Sequence, residues 1–328
     1  MKSTEPENLI LSALLTRASK PVSRIAPTPS GFLHAGNALS FLLTWLLVRR
    51  LEGFLHLRID DLDAPRFRPE CLEDLFRQLD WLGLDYDAGP DGPTELHARY
   101  TQSLRIESYE TALQTLCERG KLYACRCSRK EYLALSSDGL YPGPCRNLSI
   151  PFTEPHCSWR IRIMKPCSVS ALDKRTSVGQ IDLASEMGDS VLRRRDGLPA
   201  YQIASLIEDL DSGCNLIVRG ADLYPSSLFQ CHLSESLGHR EFKRIVFLHH
   251  PLLKDESGRK LSKTGGALAL KNLRQTHDEP GFLYCLMARW LRLPSEEIND
   301  LRELQHAFLD VSLEGLGQIS IGGFHLNE

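Results

Sequence analysis

The sequence predicts an α/β protein: a parallel sheet flanked by helices, interrupted by an insertion and followed by a short helical region. An apolar run at 21–27, helical spacing at 33–51 and a second apolar run at 54–59 follow one another with short joints. That order is typical of a right-handed βαβ unit. Helices and strands alternate again beyond residue 198, so we expect the sheet to continue after the insertion.

Particular residues mark where the first elements begin and end. The first strand, "PVSRIAP", ends at a proline, and Gly53 separates the first helix from the strand "FLHLRI". Arg49 and Arg50 favour a helix end at that point, because cations are stabilised at a helix C-terminus. The apolar spacing then predicts helices over 69–83 and 97–119.

The later elements complete the predicted order. Strand character starts again with "WRIRIM" at 159–164. Beyond it we expect a helix at 199–210, a strand at 215–220, a helix at 225–237 and a strand at 244–250.

These elements predict a division of the chain into three parts. They are an N-terminal extension at 1–20, a sheet domain at 21–270 that an insertion at about 105–195 interrupts, and a short helical region at 271–328.

The composition excludes several classes of protein. With 42% hydrophobic and 25% charged residues the chain is typical of globular proteins, and its formal net charge of −3 gives no overall attraction to nucleic acids or membranes. The longest apolar stretch, at 38–48, is too short to span a bilayer, and residues 1–20 have no signal-peptide pattern. Ten cysteines without a secretory signal favour thiols and one metal site over disulfides. We therefore expect a cytoplasmic protein with no membrane partner.

Two loop motifs follow predicted strands and suit phosphate. In "APTPSGFLHAGN" (26–37), His34 falls at a helix N-terminus, where free N–H groups and the helix dipole favour an anion. In "GRKLSKTGG" (258–266), Lys260 and Lys263 stand among glycines, where they can neutralise charge on a polyphosphate. Either motif alone is equally compatible with a solvated surface loop. Together, in this order on one sheet, they favour a nucleotide site.

These motifs resemble the signatures of class I aminoacyl-tRNA synthetases. "SRIAPTPSGFLHAGN" is similar to the HIGH-type motif and "KLSKT" to the KMSKS-type motif. "LRIDDLDAPR" (57–66) and the segment 193–223 narrow the resemblance to the glutamyl group. The resemblance implies a Rossmann-type catalytic domain that activates L-glutamate with ATP, accompanied by Mg²⁺.

The resemblance also implies roles for the residues of the two motifs. His34 and Lys263 would be catalytic, and His34 would donate to the phosphate oxygens. The implied ATP-binding residues are His34, Gly36, Asn37, Lys260 and Lys263. Gly36 would let the adenosine approach the backbone.

A second set of residues matches the family's glutamate site. The set is Arg24, Ala26, Thr28, Asp60, Tyr201 and Arg219. Arg24 suits a bidentate grip on the side-chain carboxylate, with an ordinary strand-edge arginine as the alternative. Asp60 stands where the family usually has the glutamate that holds the α-ammonium, which leaves a gap that a water or Asp61 would fill. For Tyr201 a core position on an apolar helix is nearly as well supported.

A third constellation contains cysteines. "CRC" (125–127) and "YPGPC" (141–145) offer three thiolates and a phenol, enough for a tetrahedral metal site. The alternatives are reduced cysteines on a loop, or a fourth ligand from His156 or Cys157. The C-x-C…Y-x-x-x-C pattern resembles that of the truncated glutamyl-Q branch of the family. That resemblance implies one structural Zn²⁺ in an acceptor-binding-like inserted subdomain, with the ligands Cys125, Cys127, Tyr141 and Cys145.

The length of chain beyond the lysine motif points to the same branch. Only 65 residues follow Lys263 (328 − 263), so we expect no anticodon-binding domain. The glutamyl-Q branch implies transfer of glutamate to the queuosine base of the tRNA(Asp) anticodon stem-loop, by a monomer. The alternatives are a truncated glutamyl-tRNA synthetase that charges a tRNA 3′ end, and an inactive paralogue that binds nucleotide or RNA.

Overall fold

The computed structural model describes residues 20–164, 167–173, 176–252, 269–294 and 298–311. Its strands, in chain order, are β1 (Val22–Ile25), β2 (Phe54–Leu57), β3 (Leu122–Cys125), β4 (Ser158–Ile161), β5 (Ser168–Asp173), β6 (Thr176–Asp182), β7 (Val191–Arg193), β8 (Leu216–Gly220) and β9 (Val246–His250). Apart from short helical turns, its helices are α1 (Ala35–Arg50), α2 (Pro69–Trp81), α3 (Ile106–Glu118), α4 (Arg129–Ala134), α5 (Leu183–Glu186), α6 (Tyr201–Asp211), α7 (Tyr224–Leu237), α8 (Leu270–Thr276), α9 (Gly281–Leu291) and α10 (Leu301–Leu309).

The predicted βαβ unit forms the start of the sheet. Strands β1 and β2 pair in parallel, with Val22 opposite Phe54, and α1 connects them. Helix α1 is apolar on most of its surface and is correspondingly buried in the main core. Helices α9 and α10 of the C-terminal region contribute to the same core, so this region packs on the sheet domain.

The later strands form a second sheet in the order β6-β5-β9-β8, in which β5 and β6 pair antiparallel. Strands β8 and β9 pair in parallel over their whole length, and β5 joins β9 in parallel at Asp173. Asn215, the residue before β8, connects that strand to β1. The Asn215 backbone N–H donates to the Val22 carbonyl at 2.9 Å, and the Asn215 Oδ1 accepts the Val22 N–H at 2.9 Å. The carboxyl ends of β1, β2, β8 and β9 therefore meet along one edge.

Strands β3, β4 and β7, which come between β2 and β8 in the chain, form a separate antiparallel sheet. Strand β4 pairs with β3 on one side and β7 on the other. A small core beside it includes Tyr123, Tyr141, Cys145 and Cys157. The strands β3, β5, β6 and β7 were not among the elements expected from the sequence.

One predicted helix begins later than expected. The sequence predicts a helix over 97–119, but α3 begins at Ile106, after a π-helical turn at Leu96–Tyr100 and a 3₁₀ turn at Gln102–Arg105. The reason is Asp61, whose carboxylate accepts hydrogen bonds from the Thr101 hydroxyl at 2.6 Å and the Gln102 N–H at 2.9 Å. These bonds fix Thr101 at a ψ of 138°, which breaks the helical ladder.

The described helices are also too short or too polar to cross a membrane.

Candidate active site

A cavity of about 390 Å³ opens at the edge where the parallel strands end. It gathers the residues that the sequence assigns to ATP and glutamate, as far as the structure describes them. Those that line it are Arg24, Ala26, Thr28, His34, Gly36, Asn37, Asp60, Tyr201 and Arg219. Lys260 and Lys263 lie outside the described residues.

The first motif is held in place by its own helix cap. His34 is the N-cap of α1, in an extended conformation with φ −125° and ψ 169°. The Asn37 side-chain oxygen accepts the His34 backbone N–H at 3.0 Å, and the Asn37 N–H donates to the His34 carbonyl at 2.8 Å. Asn37 therefore holds His34 at the N-terminus of α1.

Both described ends of the lysine segment lie beside that motif. Strand β9 leads into Leu252, which lines the cavity. The chain is described again at Ala269, which forms a β-bridge with His34, and the Leu270 N–H donates to the Leu33 carbonyl at 2.8 Å. The described residues on either side of the second motif therefore lie beside the cavity and the first motif.

Four charged side chains form a network on the cavity wall, which we call the charged cluster: Arg24, Arg58, Asp60 and Asp209. The Asp209 Oδ1 accepts hydrogen bonds from Arg24 Nε at 2.9 Å and Arg58 Nη1 at 2.7 Å. Arg58 Nε donates to Asp60 Oδ1 at 2.7 Å. Burial by itself raises the pKa of the Asp209 carboxyl, but the surrounding arginines outweigh it and the pKa is lowered. Asp209 is therefore an ionised partner of both arginines.

Asp60 faces the cavity, whereas Asp61 does not line it. Burial raises the pKa of the Asp60 carboxyl, and the pairing with Arg58 only partly opposes that shift. Both oxygens of Asp61 are engaged with Thr101 and Gln102, as described above. Of the two neighbouring aspartates, Asp60 is the one available to a substrate ammonium.

Tyr201 and Arg219 approach the cavity from α6 and β8. Tyr201 is 43% exposed, which excludes the alternative interpretation as a core residue. Arg219 is buried, and its Nη2 donates to the Gln230 side-chain oxygen at 3.0 Å. Its Nε and Nη1 have no hydrogen-bond partner among the described residues. Burial, together with the charge of Arg24, lowers the pKa of Arg219. A buried guanidinium with unmet donors fits an anionic ligand.

Two members of the charged cluster, Arg58 and Asp209, were not singled out from the sequence. Arg58 stands between two buried aliphatic residues in "FLHLRI", and Asp209 lies in the apolar run "ASLIEDL". A charge inside a run that is otherwise buried needs a partner, so each position was a detectable signal. Their pairing with each other depends on the assembled sheet.

The cysteines of the insertion converge as the sequence suggests. The three sulfur atoms of Cys125, Cys127 and Cys145, which we call the thiol cluster, lie within 4.8 Å of one another. The Tyr141 hydroxyl is 3.1 Å from the Cys125 sulfur and 3.8 Å from the Cys127 sulfur. Ligands about 2.3 Å from a tetrahedral zinc are roughly 3.8 Å apart, which matches this spacing. Cys157 is buried nearby and is not part of the cluster.

The sequence as a whole matches a known family. The family described as "tRNA synthetases class I (E and Q), catalytic domain" matches residues 20–314. The chain belongs to this family. The synthetase resemblance noted in the sequence and the α/β fold of the class are both confirmed.

Individual relatives agree with the assignment. The chain is 38% identical over 270 residues to the glutamyl-Q tRNA(Asp) synthetase of Nitratidesulfovibrio vulgaris, a match that spans 76% of this chain and 80% of that protein. It is 36% identical to a glutamate–tRNA ligase of Anaeromyxobacter sp., spanning 78% of this chain and 54% of the ligase. The crystal structure of the glutamate–tRNA synthetase of Elizabethkingia anophelis has the same fold, with a TM-score of 0.73 at 24% identity over 90% of this chain and 67% of that one.

Proposed function

We propose that this protein activates L-glutamate with ATP and transfers the glutamyl group to the queuosine base in the anticodon loop of tRNA(Asp). The observation that carries the proposal is the cavity, where a histidine at a helix N-terminus, an acidic residue and two buried arginines meet at one sheet edge. Such a set suits an amino acid with a second carboxylate next to a polyphosphate. The relatives named glutamyl-Q tRNA(Asp) synthetase support the choice of acceptor.

In the activation step, Arg24 would bind the side-chain carboxylate of glutamate and Asp60 its α-ammonium. An oxygen of the α-carboxylate would attack the α-phosphorus of ATP to form a new P–O bond, and the bond from that phosphorus to the bridging oxygen would break to release pyrophosphate. His34 would donate to the phosphate oxygens, and Lys260 and Lys263 would neutralise the developing charge. The product is glutamyl-adenylate.

In the transfer step, a hydroxyl of the cyclopentene-diol on queuosine attacks the carbonyl carbon of the adenylate. The new ester bond forms, the bond between the carbonyl carbon and the phosphate oxygen breaks, and AMP leaves with the proton of the hydroxyl on its phosphate. An anticodon loop presents splayed bases, which enter a protein cavity more readily than paired ones.

The thiol cluster would hold one Zn²⁺, with Tyr141 as the fourth ligand beside Cys125, Cys127 and Cys145. The geometry that supports this assignment is the convergence of three sulfur atoms and one phenol. Four protein ligands leave no position for water, so the ion would be structural and would hold the two segments of the insertion together.

The first test is glutamate-dependent ATP–pyrophosphate exchange without tRNA. If Arg24 faces the side-chain carboxylate, glutamate drives exchange and glutamine does not. A neutral amide forfeits a charge-assisted bond of about 2–3 kcal/mol, or roughly 30- to 150-fold in specificity. Equal exchange with both amino acids contradicts the role of Arg24. No exchange with either supports the inactive paralogue instead.

The second test identifies the acceptor. Labelled glutamate should attach to tRNA(Asp) that carries queuosine, and should remain after nuclease removal of the 3′ terminus. Matched tRNA(Asp) without queuosine is the control and should stay unlabelled. Label that leaves with the terminal adenosine, or that appears on the control tRNA, supports the alternative of a synthetase that charges the 3′ end.

A further inference from the structure

We infer that Asp209 is a positioning residue for amino-acid recognition: it orients Arg24 toward the side-chain carboxylate and keeps Arg58 on Asp60. The inference rests on the proposed function, because it concerns how that site selects glutamate. Asp209 does not itself line the cavity, but both arginines that it binds do, so it would act on the substrate only through them.

The hydrogen bonds of Arg24 show what Asp209 does to it. Arg24 uses Nε for Asp209, and this is its one side-chain hydrogen bond to the described residues. Arg24 lines the cavity and is 6% exposed. With Nε fixed, the guanidinium plane cannot turn freely, and the Nη groups remain for a ligand. A guanidinium held in this way offers a pre-arranged fork to a carboxylate.

The same oxygen of Asp209 also controls the other end of the substrate site. Arg58 gives Nη1 to Asp209, Nε to Asp60 and Nη2 to the Ser205 hydroxyl at 3.2 Å. A chain of bonds therefore runs from Arg24 through Asp209 and Arg58 to Asp60. The residue proposed for the side-chain carboxylate and the residue proposed for the ammonium share one anchor.

The charges around the cavity require that anchor. Arg24 and Arg219 are buried, and the Arg58 side chain beside them is 11% exposed. The charge of Arg58 opposes that of Arg24, and the charge of Arg24 opposes that of Arg219, because like charges repel strongly where water is excluded. Asp209 is 0% exposed and is the common counter-charge of Arg24 and Arg58. The charge of the neighbouring Glu208 also favours that of Arg58, but Glu208 directs its own contacts to Tyr109 and Arg105.

The test variant is Asp209→Asn, which keeps the size and the accepting oxygen and removes only the charge. The replaced oxygen, Oδ2, has no hydrogen-bond partner among the described residues, so the amide nitrogen can take its place without losing a bond. We expect the KM for glutamate in pyrophosphate exchange to rise 10- to 100-fold, on the order of a lost charge-assisted bond, with the KM for ATP within twofold. The preference for glutamate over glutamine should fall. The matched control is Asp211→Asn on the same helix, which removes an exposed carboxylate and should leave both constants unchanged.

Two further measurements separate positioning from a structural role. In an Arg24→Gln background, Asp209→Asn should add less to the loss in glutamate use than it does in the wild type, because the contribution through Arg24 is already lost and only that through Arg58 remains. Asp209→Glu, which restores the charge, should recover part of the preference for glutamate. An unchanged KM for glutamate, a parallel loss for glutamate and ATP, or the failure of both Asp209 variants to fold would overturn the inference. Wild-type protein without glutamate-dependent exchange would instead overturn the proposed function.

Discussion

The charged cluster and the thiol cluster are both polar groups packed into the protein, but they are assembled in opposite ways. The charged cluster joins residues from position 24 to position 209, carried by two strand ends and one helix. The thiol cluster joins residues between 125 and 145, carried by the end of β3 and the loop that follows. The first depends on the complete sheet, whereas the second depends on a short stretch of chain.

This difference predicts that mutations in the two clusters affect different steps of the proposed reaction. A change in the charged cluster alters the substrate cavity itself, because three of its members line that cavity. A change in the thiol cluster alters the local shape of the insertion and leaves the sheet edge intact. We therefore expect the charged cluster to govern activation and the thiol cluster to govern transfer to RNA.

The largest effect is expected at Arg24. Arg24→Gln removes the charge that faces the side-chain carboxylate and leaves Asp209 with one partner fewer. Exchange with glutamate should fall by roughly 150-fold in kcat/KM, equivalent to about 3 kcal/mol. The control is Arg77→Gln on the exposed face of α2. Exchange within twofold of wild type in Arg24→Gln would break the link between the charged cluster and activation.

Asp60 gives the next effect. Asp60→Asn removes the proposed counter-charge of the substrate ammonium and should lower exchange about 30-fold, the cost of roughly 2 kcal/mol for one charged hydrogen bond. Asp60→Glu restores the residue that the family usually has at this position, and it should keep wild-type activity or exceed it. The measurement is the rate of glutamate-dependent pyrophosphate exchange in both variants. If Asp60→Asn exchanges at the wild-type rate, another group holds the substrate ammonium.

The thiol cluster should show the opposite pattern, with a loss of transfer to RNA and little change in activation. A Cys125→Ser/Cys127→Ser double variant should lose about one zinc per chain by elemental analysis. Transfer to tRNA should fall about tenfold while pyrophosphate exchange stays within twofold, because loss of the ion loosens the insertion and leaves the cavity at the sheet edge unchanged. Cys117→Ser, in α3 and outside the cluster, is the matched control. A metal-free wild type with full transfer activity would remove zinc from the proposal.

The smallest effect on activity is expected at Asp61. Asp61→Asn weakens the bonds to Thr101 and Gln102 that set the start of α3. The free energy of unfolding should fall by about 1–2 kcal/mol, measured by urea denaturation, while exchange stays within twofold. A loss of exchange comparable to that of Asp60→Asn would show that Asp61 contacts the substrate after all.

The elements that were predictable are those fixed by nearby residues. The βαβ unit is set by apolar spacing and by the breaks at Pro27 and Gly53, and its parallel pairing matches the prediction. The start of α3 was not predictable, because it depends on Asp61, forty residues earlier in the chain. The pairing of Arg58 with Asp209 was not predictable either, because the two residues are far apart in the chain. A charged residue in an apolar run indicates that a partner exists, but the sequence does not identify that partner.

The backbone bond between Leu270 and Leu33 makes helix α8 sensitive to changes at His34, the histidine proposed to be catalytic. The Leu270 amide proton exchanges with solvent only when that bond opens. A nucleotide that holds His34 in place stabilises the closed bond, so ATP should slow the exchange of this proton. Because such coupling is reciprocal, loosening α8 should weaken nucleotide binding by the same factor. Arg274, at 3.8 Å from the buried Asp74 of α2, is the contact through which α8 can be loosened without touching the cavity.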